Sequence, residues 1–209
     1  MPSDHTTTMP ISRSMTAIVA ATTSNGIGKN GTLAWRLPGE MKYFARVTTG
    51  ESPTTPNAVI MGRKTWESIP AKFRPLKDRH NIVVSRQELD LPGESTSSAT
   101  SLESALTQTR GAHRIFLMGG AQLYNEALNQ SSTSTQSPLV DRVLLTRIIS
   151  PEYASDVFLN DFASTQVDGR PIWLRSTHEE LCKWLGWEAP KGEIEEKGTT
   201  YRFEMWVRR

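Results

Sequence analysis

The chain has 209 residues, of which 37% are hydrophobic and 22% charged, and its formal net charge is +2. That balance suits one globular unit with an ample core and excludes a disordered polyelectrolyte; it argues against a dedicated nucleic-acid binder, and no apolar run approaches the roughly 20 residues of a membrane-spanning helix. The single cysteine, Cys182, excludes an internal disulfide and has no zinc-type spacing with the scattered His5, His80, His113 and His178, so no metal site and a reducing, cytoplasmic setting are expected.

Residues 1–14, MPSDHTTTMPISRS, lack the apolar stretch of a secretory signal and carry few arginines, so they read as a disordered tail ahead of one domain over 15–209. The runs 16–21, 57–61, 81–84 and 114–118 are continuously apolar rather than alternating, the pattern of central parallel strands covered on both faces. After the first run, the loop 25–35 sets Gly26, Gly28 and Gly31 around Ile27, with Thr32 and Trp35 following. It reads as a flap that can lie against a flat ligand, or as an ordinary surface turn; Trp35 reads as core first and as a cofactor contact second.

The segment 38–47 predicts a helix with Glu40, Tyr43, Phe44 and Val47 on one face and Lys42 and Arg46 on the other. A carboxylate on an apolar face needs a hydrogen-bonding or cationic partner, because burying it alone costs several kcal/mol or more. A different register would leave Glu40 as a solvated first-turn acid favoured by the helix dipole. Further helices are expected near Lys64, after Thr100 with Glu103 placed for a capping box, and over 121–128. The polar, low-complexity stretch 129–138 reads as a surface insertion before a strand at 142–149. Over 201–208 apolar and polar residues alternate, which predicts an antiparallel strand near a sheet edge. The expected fold is therefore α/β: a central, mostly parallel, twisted sheet of about eight strands with an antiparallel C-terminal edge and helices on both faces.

Three strand-to-helix junctions carry what a phosphate needs. The second run ends in Gly62-Arg63-Lys64-Thr65, the third in Ser85-Arg86, and the fourth in Gly119-Gly120-Ala121. Glycine admits close approach, free amides at a helix start bind anions, and parallel strands gather their carboxyl ends into one crevice. From 63 to 86 there are seven Lys or Arg against two Asp or Glu. That concentration favours a polyanionic small molecule, with NADP preferred over NAD; a solvated basic face is the plainer alternative. No G-x-G-x-x-G or Walker sequence follows any strand, so the dinucleotide reading rests on topology.

From about residue 15 to the end, the chain resembles the dihydrofolate reductases, of the longer eukaryotic and fungal kind. The likeness lies in Gly26-Ile27-Gly28-Lys29-Asn30-Gly31, Trp35, Leu37-Pro38-Gly39-Glu40, the run 61–70 (MGRKTWESIP), Arg74-Pro75-Leu76, Met118-Gly119-Gly120 and Thr146-Arg147-Ile148. The resemblance implies NADPH-dependent reduction of dihydrofolate to tetrahydrofolate in support of one-carbon metabolism and thymidylate synthesis, by a protein that also binds antifolates; the patch-free composition gives no reason to invoke a dimer, so a monomer that needs neither nucleic acid nor membrane is expected. It implies that Glu40 holds the pteridine, braced by Thr146 and with Trp35 beside the reacting groups. Ile18, Val19, Tyr43, Phe44, Ile69, Leu76 and Met118 would wall the folate pocket, and Arg79 would grip the α-carboxylate of the substrate's glutamate. Toward NADPH it implies Ala20, Ile27, Gly28, Gly31, Thr32, Gly62, Arg63, Lys64, Thr65, Ser85, Arg86, Gly119, Gly120, Ala121, Gln122, Leu123 and Tyr124. Thr100 stands where relatives carry another basic contact. A riboflavin-precursor reductase on the same fold, or a protein that only binds NADPH, has no evident need for Glu40 on an apolar face with Arg79 opposite.

Overall fold

The computed structural model describes residues 14–50, 54–129 and 140–209. The expected N-terminal tail and the polar insertion lie, but for Ser14 and Asn129, outside the described residues. In chain order the elements are β1 (Met15–Ala21), β2 (Gly26–Gly28), α1 (Pro38–Thr49), β3 (Asn57–Gly62), α2 (Arg63–Ser68), β4 (Arg79–Val84), β5 (Thr96–Ala99), α3 (Leu102–Thr107), β6 (Ile115–Leu117), α4 (Ala121–Leu128), β7 (Val140–Ser150), β8 (Val157–Phe158), β9 (Gln166–Val167), β10 (Arg170–Pro171), β11 (Trp173–Arg175), α5 (His178–Leu185), β12 (Ile194–Glu196) and β13 (Thr199–Arg208).

Nine strands form the main sheet in the order β11-β13-β7-β1-β6-β3-β4-β5, with β12 paired to β13. β7, β1, β6, β3, β4 and β5 run parallel, and the C-terminal edge of β13, β11 and β12 is antiparallel. The four continuous apolar runs became β1, β3, β4 and β6, at the centre of the parallel part, because strands covered on both faces have no polar side to show. β6 enters the sheet between β1 and β3, so strand order reverses there and opens a crevice at the carboxyl ends, where α/β sheets bind ligands.

Two cores cover the sheet. One face packs Ala17, Val19, Ile60, Ile82 and Leu117 under α3 and α4. The other packs Ile18, Val59, Met61, Phe116 and Leu144 under α1 and α5, with Tyr43, Val47, Leu181 and Leu185 as the helical contribution. Among the described residues no helix is long and apolar enough to cross a membrane.

Four local features depart from the sequence pattern. The capping box of α3 is made by Ser101 and Ser104, not by Glu103. Helix α5 occupies a stretch that the strand and helix patterns had left unassigned; its Thr177–Glu180 capping box and left-handed Gly186 close both ends. On it His178 and Cys182 are one turn apart, Nε2 and Sγ 3.3 Å from each other, so these two residues are not scattered. In β13 the alternation breaks at Glu204, which is buried at 4% exposure and accepts hydrogen bonds from Arg202 Nε and Trp206 Nε1.

Candidate active site

Helix α1 begins at Pro38, where the missing N–H is one the first turn does not need, and places Glu40 in that first turn facing the sheet. Glu40 is 6% exposed, and its Oε1 accepts a 3.2 Å hydrogen bond from Thr146 Oγ1 on β7. Thr146 is registered between Ala20 of β1 and Phe203 of β13, so the hydroxyl is presented from mid-sheet. Burial pushes the Glu40 carboxyl up from 4.5 to about 7, against the Thr146 hydrogen bond and with the negative charge of Glu196 adding to the rise. A neutral-pH site thus holds an acid poised between its two forms, able to ionise fully when a hydrogen-bond donor or cation arrives.

Thr48 lies eight residues beyond Glu40 on the same helix, which is about 12 Å along its axis. Its hydroxyl accepts a 2.6 Å hydrogen bond from a terminal nitrogen of Arg79, whose Nε donates to the Lys77 carbonyl at 2.9 Å. Arg79 is 9% exposed, and burial lowers its pKa to about 10, so it stays charged at neutral pH. An acid and a buried guanidinium therefore mark two ends of one helix. Phe44, Ile69, Leu76, Met118 and Ala20 belong to the same apolar cluster as Ile18 and are only partly buried there. Trp35 is 6% exposed, and its buried indole Nε1 has no hydrogen-bond partner among the described residues.

The glycine junctions meet at the carboxyl ends of β3 and β6. Gly62 N–H donates to the Gly119 carbonyl at 2.8 Å, and a Cβ on Gly62 would lie 3.6 Å from the Gly120 nitrogen. Gly119 has φ +106°, and a Cβ there would come within 2.9 Å of the Tyr124 ring, so only glycine fits without displacement. Helices α2 and α4 start at Gly62 and Gly120 with no side-chain cap, leaving their first amides open toward this edge. Lys64 and Arg86 are exposed beside them and Thr65 is half-buried. The loop after β1 is tied down rather than free: Gly26 and Gly28 pair with β8, and Asn30 N–H donates to Asp156 at 2.8 Å.

The family model for dihydrofolate reductase matches residues 14–169. The chain belongs to the dihydrofolate reductase family. It is 50% identical to the dihydrofolate reductase of Cryptococcus neoformans var. neoformans, over 97% of this chain and 98% of that one. Identity to the Pneumocystis carinii enzyme is 43%, over 94% and 97%. Among solved structures, the Schistosoma mansoni dihydrofolate reductase aligns with a TM-score of 0.73 at 31% identity, covering 94% of this chain and 99% of that one.

Set against the residues that the family resemblance singled out, the structure gathers Glu40, Thr146, Ile18, Ala20, Phe44, Ile69, Leu76 and Met118 on one face, and Gly62, Thr65, Gly119 and Gly120 at one edge. Others sit differently. The Val19 side chain points into the opposite core under α4, because neighbours along a strand face opposite ways, so only its backbone borders the α1 face. Tyr43 stacks on Phe203, ring centroids 3.7 Å apart, and is 7% exposed, so its ring is packed between α1 and β13. The Ser85 hydroxyl is taken up in its own turn, bonding the Gln87 carbonyl and N–H. Arg63 is paired with Glu67 at 2.8 Å. Leu123 and Tyr124 are buried behind the α4 terminus, where Tyr124 donates to the Ile18 carbonyl, while Ala121 and Gln122 are more open. Ile27, Gly28, Gly31 and Thr32 lie in or beside the β2 turn.

Two long-range carboxylate contacts escaped the sequence reading, one at the start of α1 and one at the loop after β1. Glu196, on β12, accepts the Gly39 N–H, and Glu152 accepts from Thr23 and Ser24, which holds its carboxyl down at about 2. Both are paired across more than 120 residues, and no local periodicity encodes such a contact.

Proposed function

We propose that the chain catalyses the NADPH-dependent reduction of 7,8-dihydrofolate to 5,6,7,8-tetrahydrofolate, acting in the cytoplasm as a monomer whose single domain spans residues 15–209. The observation that carries this reading is the buried Glu40 carboxyl, backed by one hydroxyl on the sheet face that carries the apolar cluster of Ile18, Phe44, Ile69 and Leu76. A pterin offers two adjacent N–H donors, at N3 and the 2-amino group, to the two oxygens of one carboxylate. That pairing is charge-assisted and two-pronged, and it stabilises the ionised acid that burial disfavours. Thr146 fixes the carboxylate's orientation while this happens.

Ile18, Phe44, Ile69 and Leu76 would hold the ring and the aryl spacer in an apolar sleeve. Arg79 would close the far end on the glutamate α-carboxylate, and the span of about 12 Å along α1 suits an elongated molecule with a heterocycle at one end and carboxylates at the other. Antifolates with the same heterocycle edge would occupy the same place. The open amides at α2 and α4, with Lys64, Thr65 and Arg86, fit the phosphates of NADPH, and Gly62, Gly119 and Gly120 let backbone approach it. When bound, its nicotinamide supplies the hydride that reaches C6 of dihydrofolate. The chain's own work is to bring the two rings together, exclude water with the β2 loop, and hold the pterin edge on Glu40. A carboxylate gripping N3 and the amino group need not reach N5, and in this reading water would supply that proton.

Mixing the protein with NADPH and dihydrofolate and following nicotinamide absorbance tests the reading. Absorbance should fall with the parent chain, and Glu40→Gln should bind NADPH nearly as well while losing most of its turnover. Full turnover by that variant at neutral pH would refute the role of Glu40.

A further inference from the structure

Helix α1 lacks the usual support at its start. Its N-cap, Leu37, has no side chain able to accept from the first amides, although a capping acceptor is what normally anchors a first turn. The acceptor comes instead from the other end of the chain. Both oxygens of Glu196 receive the Gly39 N–H, at 2.9 and 3.0 Å, and Glu196 Oε2 also accepts from the Tyr201 hydroxyl at 3.1 Å. Gly39 is shaped for this: a Cβ there would sit 2.9 Å from Glu196 Oε2 and 3.1 Å from the Tyr201 oxygen. The residue after Gly39 is Glu40.

We propose that Glu196 is a positioning residue for dihydrofolate reduction: a carboxylate on the β12–β13 hairpin that clamps the first turn of α1 and so fixes where Glu40 meets the pterin. The inference rests on Glu40 being the pterin anchor. Glu196 acts twice. Its oxygens set the position of the Glu40 backbone through Gly39, and its negative charge, one residue's contact away, opposes ionisation of the Glu40 carboxyl. The other groups around Glu40 are the Thr146 hydroxyl from β7 and the phenols of Tyr43, Tyr124 and Tyr201 from α1, α4 and β13; each phenol is neutral at working pH by its ordinary pKa, and burial raises it further. The charge on Glu196 is therefore the one that a substitution can remove without touching the anchor.

The two actions separate in two variants. Glu196→Gln keeps an acceptor for Gly39 and loses the charge; Glu196→Ala loses both. Dihydrofolate affinity, read from tryptophan quenching across pH, rises with pH as Glu40 ionises. In Glu196→Gln its midpoint should move to lower pH with affinity above that midpoint retained. In Glu196→Ala the midpoint should move likewise, and KM for dihydrofolate should rise roughly twofold to thirtyfold, the range set by loss of a helix cap, with NADPH affinity unchanged. Gly39→Ala should reproduce the KM loss, and combining it with Glu196→Ala should add little, since both break one contact. An unmoved midpoint in both variants, or a KM equal to that of the parent in Glu196→Ala, would overturn the proposal. Failure of the parent chain to consume NADPH with dihydrofolate would instead sink the functional reading on which it rests.

Discussion

Removing the charge of Glu40 should stabilise the ligand-free protein, and by an amount that depends on pH. The carboxyl is pushed from 4.5 to about 7, mainly by burial. Between those values the folded state holds a proton that the unfolded chain has released, so stability falls as pH rises through the window. The displacement corresponds to about 3 kcal/mol once the pH exceeds the upper value. Glu40→Gln cannot ionise, and the Thr146 hydroxyl can still donate to the amide oxygen. Urea unfolding of the ligand-free parent and variant should therefore agree closely at about pH 4 and differ by about 3 kcal/mol in favour of the variant at about pH 8, with similar m-values. In a thermal scan the same difference is roughly 6–12 °C for a chain of this size. A gap that is equal at both pH values, or a variant less stable than the parent at the higher one, would refute the argument that Glu40 is a dry acid whose burial outweighs its one hydroxyl partner before ligand arrives.

Thr146→Val deletes the hydroxyl that favours the Glu40 anion, so the carboxyl should titrate higher still and dihydrofolate affinity at neutral pH should drop roughly tenfold; unchanged affinity would contradict the bracing role. Arg79→Leu should weaken dihydrofolate binding by roughly tenfold to a hundredfold, the worth of hydrogen bonds to a charged group, while binding of the corresponding pteroate without glutamate should be nearly unaffected. Equal losses for the two ligands would show that Arg79 serves only the fold. Gly119→Ala places a Cβ 2.9 Å from the Tyr124 ring at φ +106°, and should cost about 1–3 kcal/mol in urea unfolding together with a raised KM for NADPH.

What the sequence made legible was whatever depends on short-range periodicity. Glu40, Tyr43, Phe44 and Val47 share a face because α1 turns every 3.6 residues, and the four continuous apolar runs announced the parallel strands. Periodicity gives a face but not its depth. Tyr43 lies on the right side of α1 yet is stacked on Phe203, while Phe44 beside it stays half-buried. A continuously apolar strand likewise hides which residues face which core, and so Ile18 and Val19 separate onto opposite sides of β1. Ser85 looked like a phosphate ligand because its type and place were right, but its hydroxyl closes a turn with Gln87. Glu196 was invisible, since its partner is 157 residues away. Helix α5 was missed, although the capping signals that close it, Thr177, Glu180 and Gly186, are local.

The most direct test of the account is the titration of the Glu40 carboxyl itself, followed by carbon-13 NMR of side-chain-labelled glutamate with Glu40→Gln as the assignment control. In the ligand-free protein the resonance should titrate with a midpoint near 7, and with dihydrofolate bound the midpoint should fall well below that value as the pterin's donors hold the anion. A midpoint near the ordinary 4.5 in the free protein, unmoved by ligand, would contradict the claim that this acid waits buried for the heterocycle.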